Sequence, residues 1–147
     1  MAELKGISTY QTYLMYRTTT TGDYAKLIDI TNFPDLIPPK ERIDITSLSD
    51  YMRVYIQGVG DTSEFQFGAN YTPENYAKIY ALEGHIYDYA VWFGASGGNG
   101  NEIPDGHLGK FDWSGEVSAG VSGGGVNEAV GMVINATPST VVSWSST

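Results

Sequence analysis

Three short runs of alternating apolar and polar residues limit the fold of this chain more than any other feature of its sequence. They occupy residues 42–48, 51–57 and 63–69, and glycines at positions 58 and 60 separate the last two runs. Alternation with a period of two is typical of antiparallel strands that have one face in a core and the other in water. The segment therefore predicts half-buried antiparallel strands, joined by loops that lack the side chains of an active site.

Further β-patterned runs lie on both sides of this segment. They are residues 24–31, 86–93, 111–121, 126–136 and 141–144. Residues 12–21 are β-prone but end in a threonine run before Gly22, so we interpret them as a partly extended N-terminal arm. Residues 94–109 form a long glycine-rich loop in this interpretation. Residues 123–125, all glycine, suit the turn of a hairpin, because glycine accepts positive φ freely.

Residues 73–83 are the one segment with clear helix start and stop signals. Thr72 can cap the helix, Pro73 suits the first turn, Glu74 interacts favourably with the helix dipole, and Gly84 ends the pattern. The helix would lie between the fourth and fifth strands and pack on a sheet through an apolar stripe. The residues of that stripe are Tyr76, Ile79, Tyr80 and Leu82.

The composition fits a single, mainly β domain over residues 1–147. With 41% hydrophobic and 13% aromatic residues, the chain can form one packed core but is too short for two domains of typical size. We predict an antiparallel β-sandwich or barrel-like fold with one α-helix at about residues 73–83. Such a domain exposes strand edges, and an uncovered edge can pair with another copy.

Cysteine content and charge exclude several classes of function. The chain has no cysteine, so disulfides, thiolate metal sites and a cysteine nucleophile are excluded. It has no recognisable secretory signal or membrane-spanning run, which predicts a cytoplasmic product. A net charge of −9 disfavours tight binding to nucleic acid. The same acidity either keeps the protein soluble or, on the wall of a conduit, lets DNA slide past without sticking.

Two stretches match the G-x-S-x-G pattern of hydrolases, with Ser96 and Ser122 at their centres. That pattern needs a helix after the serine, whereas more glycine follows both. Glu102, Asp105 and His107 could offer metal ligands, but the EF-hand spacing is absent and only one histidine contributes. Paired carboxylates for glycoside hydrolysis stay an open alternative, because the sequence gives no separation between them. We predict no enzyme, catalytic residue, metal site or cofactor.

The segment at residues 41–69 resembles the core signature of phage major tail tube proteins. The matching features are Ile43-Asp44-Ile45-Thr46, Ser47-Leu48-Ser49-Asp50, Arg53-Val54-Tyr55-Ile56-Gln57-Gly58, and Asp61 leading into Phe65-Gln66-Phe67. Residues 115–144 resemble the C-terminal hairpin of the same family. The likeness in the order of strands, helix and hairpin extends from Lys26 onward.

This resemblance implies a virion protein of the tail tube, made and assembled in the host cytoplasm. Members of the family self-assemble into hexameric rings, which stack into a hollow tube through which DNA passes without specific binding. The fold is shared with tubes of contractile tails and of type VI secretion. The implied partners are further copies, the tape-measure protein, the tail terminator and the baseplate or initiator proteins, with no membrane.

The resemblance also implies which residues join subunits. An N-terminal arm would span about residues 8–24, and the loop that stacks rings would be residues 47–61 or 32–41. The candidate intersubunit residues are Tyr13, Tyr16, Arg17, Leu48, Asp50 and Arg53. The candidate lumen-facing acidic residues are Asp29, Glu41, Asp44, Asp61 and Glu64. A plain surface position is the alternative for Arg53 and for each acidic residue.

A carbohydrate-binding β-sandwich is the alternative function. The rings that could stack on sugars are Tyr87, Tyr89, Trp92, Trp113 and Trp144. Alternation places Tyr87 and Tyr89 on one face of their strand and Trp92 on the other, as core and interface residues are placed. A sugar platform exposes several rings together, so we expect most of these rings to be in the core.

Overall fold

The computed structural model describes residues 6, 10–36, 40–58, 65–97 and 102–145. Within these residues the fold is antiparallel β-structure with one helix, as the sequence predicts. The elements are β1 (Thr12–Arg17), β2 (Ala25–Ile28), β3 (Arg42–Asp44), β4 (Tyr55–Gln57), β5 (Phe65–Asn70), α1 (Pro73–Leu82), β6 (Tyr87–Phe93), β7 (Ala95–Ser96), β8 (Ile103–Pro104), β9 (Lys110–Val121), β10 (Gly131–Pro138) and β11 (Ser143–Ser145).

The main sheet has the strand order β2-β1-β6-β9-β10-β5, and β11 also pairs with β9. The 12-residue strand β9 holds this sheet together, since its first half pairs with β6 and its second half with β10. Two small separate sheets are formed by β3 with β4 and by β7 with β8. The helix lies between β5 and β6 in chain order, one strand later than predicted.

The segment after β2 meets β5, the strand at the other end of the main sheet, and closes the sheet into a barrel-like form. An antiparallel bridge joins Asn32, shortly after β2, to Gly68 of β5. The Thr31 amide donates to the Gly68 carbonyl oxygen at 2.8 Å, and the Gly68 amide donates to Asn32 Oδ1 at 2.8 Å. The edges of this sheet are thus joined at a seam, whereas the sequence predicted exposed edges for pairing with other copies.

The core fills the inside of this barrel with side chains from the strands of the main sheet and from α1. Trp113 of β9 lies at its centre, edge-on to Phe65 and stacked on Phe67, with ring centroids 5.2 and 6.0 Å away. The close approach of β9 to β10 requires glycine at position 115, because an added Cβ would overlap the Thr137 carbonyl oxygen. Other fully buried core residues are Leu14, Leu27, Ile79, Tyr89, Val91, Met132 and Ile134.

The helix begins and ends close to the predicted positions. Thr72 caps it by accepting a hydrogen bond from the Asn75 amide at 3.1 Å, and Ile79 and Leu82 are buried. At its end, Glu83 Oε1 accepts from the Ala119 amide of β9 at 2.9 Å. The prediction that Tyr80 belongs to the buried stripe is wrong, since 65% of its surface is exposed.

Residues 12–17 of the predicted N-terminal arm form strand β1 inside the main sheet. This strand pairs with β2 on one side and β6 on the other, and Leu14 and Met15 are buried. The arm prediction is therefore wrong for this part of the chain, because the threonine run that suggested an arm only follows the strand. Arm residues 8 and 9 lie outside the described residues.

No helix within the described ranges has the length and apolar character needed to cross a lipid bilayer.

Candidate assembly surface

A β-hairpin formed by residues 40–57 stands apart from the barrel, and we call it the hairpin. Every residue in it is exposed, although it includes both β3 and β4. The sequence predicted these strands as half-buried, which is wrong. The alternation of apolar and polar residues distinguishes the two faces of these strands, but it does not show whether a core or a partner covers the apolar face. Its large exposed apolar residues are Ile43, Ile45, Leu48, Tyr51, Met52, Val54, Tyr55 and Ile56.

Backbone pairing holds the two arms of the hairpin in register. Ile43 lies opposite Ile56, and Asp44 lies opposite Tyr55. The pairing continues beyond the strands, because the Ile45 amide donates to the Val54 carbonyl oxygen at 3.0 Å. The hairpin thus keeps a defined shape without a core of its own.

A network of polar groups fixes the turn of the hairpin. Asp44 Oδ1 accepts from the Thr46 amide at 2.9 Å, and Thr46 Oγ1 accepts from the Val54 amide at 2.8 Å. Asp50 Oδ2 accepts from the Ser47 amide at 2.9 Å. Hydrogen bonds from Thr46 and then the pairing with Arg53 hold the pKa of the Asp44 carboxyl below its usual value. Asp44 is therefore ionised at neutral pH, as this network requires.

The tip of the hairpin presents apolar side chains directly to water. Leu48 is fully exposed and 97% of the surface of Tyr51 is exposed. Exposed apolar patches of this kind mark interaction sites, and aromatic anchors often dominate the binding energy. The hairpin has three acidic and three basic residues, so its formal charge is zero in a chain of net charge −9. It can approach another acidic surface without net repulsion.

The predicted intersubunit residues divide between two places. Leu48, Asp50 and Arg53 lie on the hairpin, where Arg53 Nη1 pairs with Asp44 Oδ2 of the same chain at 2.8 Å. The other three, Tyr13, Tyr16 and Arg17, lie on strand β1 in the main sheet and are half-buried. The structure therefore brings together only the hairpin set.

Arg17 belongs to a polar cluster that the sequence did not reveal. Its Nε lies 2.7 Å from Asp88 Oδ2, and its guanidinium lies over the Tyr24 ring, 4.7 Å from the centroid. Ser114 Oγ donates to the other carboxylate oxygen of Asp88. Burial raises the pKa of Asp88, but the hydrogen bonds from Ser114 and Arg17 outweigh it and hold the pKa below its usual value. Arg17, Asp88 and Ser114 lie on three different strands, so no local sequence signal identifies the cluster.

The predicted acidic residues do not form one cluster. Asp29 follows β2 and pairs with Lys26 Nζ at 2.9 Å. Glu41 and Asp44 lie on the hairpin, where Asp44 pairs with Arg53. Lys26 and Arg53 thus offset the charges of two candidates. Asp61 and Glu64 lie outside the described residues.

The features considered for catalysis and metal binding occupy ordinary structural positions. Ser96 lies in the two-residue strand β7, and the Ser122 amide continues the β9–β10 ladder by donating to the Gly131 carbonyl oxygen at 2.9 Å. Asp105 and His107 pair with each other at 2.6 Å. The described part of the chain contains no group of three or more acidic, histidine or cysteine side chains able to hold a metal ion.

The aromatic rings considered for sugar binding do not form a platform. Tyr89 and Trp113 are buried in the barrel, as expected. Tyr87 and Trp92 are half-buried on opposite faces of β6, and Trp144 is exposed on β11. Lys110 Nζ also lies over the Trp92 ring, 4.1 Å from its centroid. The rings thus belong to the core and to separate surface positions.

No protein-family model and no curated protein sequence matches the chain. Several solved structures are similar. The anti-feeding prophage cap, described as the AFP tube terminating cap, has a TM-score of 0.65 and 12% identity, covering 100% of this chain and 95% of that chain. The sheath/tube terminator of an extracellular contractile injection system, PVC, in its extended state matches with a TM-score of 0.65 and 12% identity. That match covers 98% of this chain and 99% of that chain.

A chain of the anti-feeding prophage baseplate has a TM-score of 0.64 and 6% identity, and the match covers 97% of both chains. At such low identities the likeness concerns the fold. Over nearly its whole length, this chain therefore has the fold of tube terminator, cap and baseplate proteins of contractile injection systems, which is a tail-tube-related fold.

Proposed function

We propose that this protein is a structural subunit that self-assembles into stacked, hexameric rings of a phage-type tail tube. The observation that carries the proposal is the hairpin, an ordered 18-residue segment without a single buried residue on an otherwise closed barrel. A hairpin of this composition gains stability when a partner covers it, because apolar area removed from water contributes about 25 cal/mol per Å². The tail-tube-related fold makes further copies of this chain the natural partner.

The hairpin also favours one of the two predicted stacking loops. Residues 47–57 of the first candidate, 47–61, form its exposed tip and second arm. In the second candidate, 32–41, Asn32 is used in the barrel seam and Leu36 is buried. We therefore assign contact between rings to the hairpin, including Leu48, with Asp50 and Arg53 shaping it.

The net charge of −9 per subunit suits a conduit that DNA crosses without binding. Asp29, Glu41 and Asp44 are the candidate lumen-facing residues that the structure describes. Replacing Asp29 and Glu41 by lysine tests this part of the proposal, because Asp44 fixes the hairpin turn and its loss would disturb assembly itself. Particles that assemble and eject DNA at the normal rate after this change would remove the repulsion hypothesis and leave the structural role intact.

A piece that ends or caps a tube is the second candidate function. It is favoured by the similar cap and tube terminator structures, which match at TM-scores of 0.65. A major tube subunit grows into tubes of indefinite length with concentration, whereas an end piece stops at one ring or one pair of rings. Tape-measure, terminator and baseplate or initiator proteins are the further partners proposed for the tube subunit.

The test is negative-stain electron microscopy of purified protein, with sedimentation at several concentrations. We expect hollow annuli or tubes from the wild type. The variant Leu48→Ser/Tyr51→Ser should sediment as a monomer with an unchanged circular dichroism spectrum, because both side chains are exposed. The matched control, Val126→Ser/Val141→Ser, removes two other highly exposed apolar side chains and should assemble normally.

Two results would reject the proposal. One is a wild-type protein that remains monomeric at every concentration and binds a glycan specifically, which favours the carbohydrate-binding alternative. The other is assembly that both double variants support equally, because the hairpin would then have no part in it.

A further inference from the structure

A second exposed aromatic surface lies on the helix and just before it. Tyr71, Tyr76 and Tyr80 form a continuous row of rings, and we call this row the tyrosine stripe. The ring centroids of Tyr71 and Tyr76 are 5.9 Å apart, and those of Tyr76 and Tyr80 are 6.4 Å apart. Tyr80 has 65% and Tyr71 has 37% of its surface exposed. Tyr76 is half-buried and packs against the core, so it joins the exposed Tyr71 and Tyr80 into one row. Exposed rings joined in this way are more than the scattered exposed apolar residues that a surface normally carries.

The apolar surface continues beyond the stripe at its Tyr71 end. The Tyr71 amide donates to the Val130 carbonyl oxygen at 2.8 Å, which places these two residues side by side. Half of the surface of Val130 is exposed. The stripe and this part of the β9–β10 connection therefore form one apolar strip on the side of the barrel.

The barrel holds the stripe rigidly. Ile79, which precedes Tyr80 on α1, is fully buried, and Lys78 Nζ donates to the Leu27 carbonyl oxygen at 3.3 Å. Asn75 Nδ2 donates to the Asn70 carbonyl oxygen at 3.2 Å, and Glu83 is bonded to β9. Tyr76 and Tyr80 thus stand on a helix fixed to the sheet, and Tyr71 lies just before that helix, as a docking surface requires.

We propose that the tyrosine stripe of one copy receives the hairpin of another copy. This inference rests on the proposed self-assembly and names the surface that the hairpin contacts. Its chemistry is complementary, because thioethers and guanidinium groups favour aromatic rings, and Met52 and Arg53 are both exposed on the hairpin.

The charges of the two surfaces also permit this contact. The hairpin is neutral, so it does not add to the repulsion between two chains of charge −9. A contact between two different patches of the same chain is heterologous. Repeated contacts of that type close into rings or continue as helical stacks, whereas a hairpin that met another hairpin would give a twofold dimer.

Cysteine cross-linking tests the contact directly, because the chain has no cysteine of its own. Protein with Ser49→Cys at the hairpin turn is mixed with protein carrying Ala77→Cys, which lies between Tyr76 and Tyr80 in sequence. The mixture is assembled and then oxidised. Both changes are small and at exposed positions. Ser118→Cys, exposed on β9, replaces Ala77→Cys in the control mixture.

We expect roughly tenfold more disulfide-linked heterodimer from the stripe mixture than from the control, because a disulfide forms only when the two Cα atoms come within about 7 Å. Assembled mixtures in which Ser49→Cys links only to itself, links equally to Ser118→Cys, or links to neither would overturn the stripe contact. Sedimentation and microscopy of the same mixtures would then still support self-assembly. Mixtures that never assemble would overturn both proposals.

Discussion

The seam that closes the barrel depends on glycine at position 68. An added Cβ would lie 2.8 Å from both Asn32 Nδ2 and Asn32 Oδ1, closer than a Cβ atom comes to another heavy atom in folded proteins. Gly68→Ala therefore forces the Asn32 side chain away. The amide of residue 68 then loses its acceptor, and the neighbouring bond from the Thr31 amide is disturbed.

The expected cost follows from these two hydrogen bonds. Each contributes about 0.5–1.5 kcal/mol to stability, so their loss costs about 1–3 kcal/mol. Replacing glycine with alanine also restricts the unfolded chain, which offsets about 0.4–1 kcal/mol of this loss. We therefore expect Gly68→Ala to lower the free energy of unfolding by about 1–2 kcal/mol.

A double-mutant cycle with Asn32→Ala isolates this clash. Asn32→Ala alone loses one side-chain hydrogen bond, or about 1 kcal/mol. In the double variant the Asn32 side chain is absent, so the added Cβ at position 68 has nothing to displace. The double variant should therefore be little less stable than Asn32→Ala alone. The two changes would then be non-additive by about 1 kcal/mol.

The assay is urea unfolding at protein concentrations below those of assembly, followed by circular dichroism and by tryptophan fluorescence, to which the buried Trp113 contributes. Gly120→Ala is the matched control, because its Cβ meets nothing within 4 Å. It should leave stability unchanged or raise it slightly. A Gly68→Ala variant as stable as the wild type, or strictly additive effects in the cycle, would refute this account of the seam.

Three further changes test other parts of the fold. Gly115→Ala puts a Cβ against a backbone carbonyl oxygen of β10, so the variant should melt at a lower temperature, with a loss of about 1–3 kcal/mol or more in the free energy of unfolding. An unchanged melting temperature would contradict that packing. In urea unfolding, Ile79→Ala should lower the free energy of unfolding by about 2–5 kcal/mol, because Ile79 is buried. Tyr80→Ser should lower it by less than about 0.5 kcal/mol, because Tyr80 is exposed. Equal losses would disprove the orientation of the helix. The pKa of Asp88 is lower in the folded protein than its ordinary value of 3.8, so the charged carboxylate stabilises the fold above pH 3.8, and this stabilisation is lost as the pH falls through the folded pKa. The difference in unfolding free energy between wild type and Asp88→Asn should therefore narrow below about pH 4. A difference that stays constant with pH would argue against the ion pair.

Local signals in the sequence were sufficient to predict most elements of the fold. The helix is an example, because Thr72 caps it through a bond to an amide only three residues away. Strands β5, β6 and β9 begin and end within two residues of their predicted bounds, and β5 and the middle of β9 alternate core and solvent positions. These features depend on neighbours in the chain and can be predicted from them.

Features that depend on distant residues were not predictable. The seam joins Asn32 to a strand 36 residues later, and nothing near either residue marks that contact. The same holds for the ion pair between Arg17 and Asp88, which are 71 residues apart. For the hairpin, the resemblance placed Leu48 at an intersubunit position, but the alternation around it predicted a core-facing strand pair. Alternation is the same whether a core or another molecule covers the apolar face.

The polar network in the hairpin turn has a consequence for the rate of growth. Because Asp44, Thr46 and Asp50 already fix the turn in the free subunit, little internal entropy remains to be lost when a partner arrives. The cost of adding a subunit is then mainly its rigid-body freedom, and no slow folding step precedes the encounter. We therefore expect elongation to be first order in free subunit and to have no concentration-independent plateau.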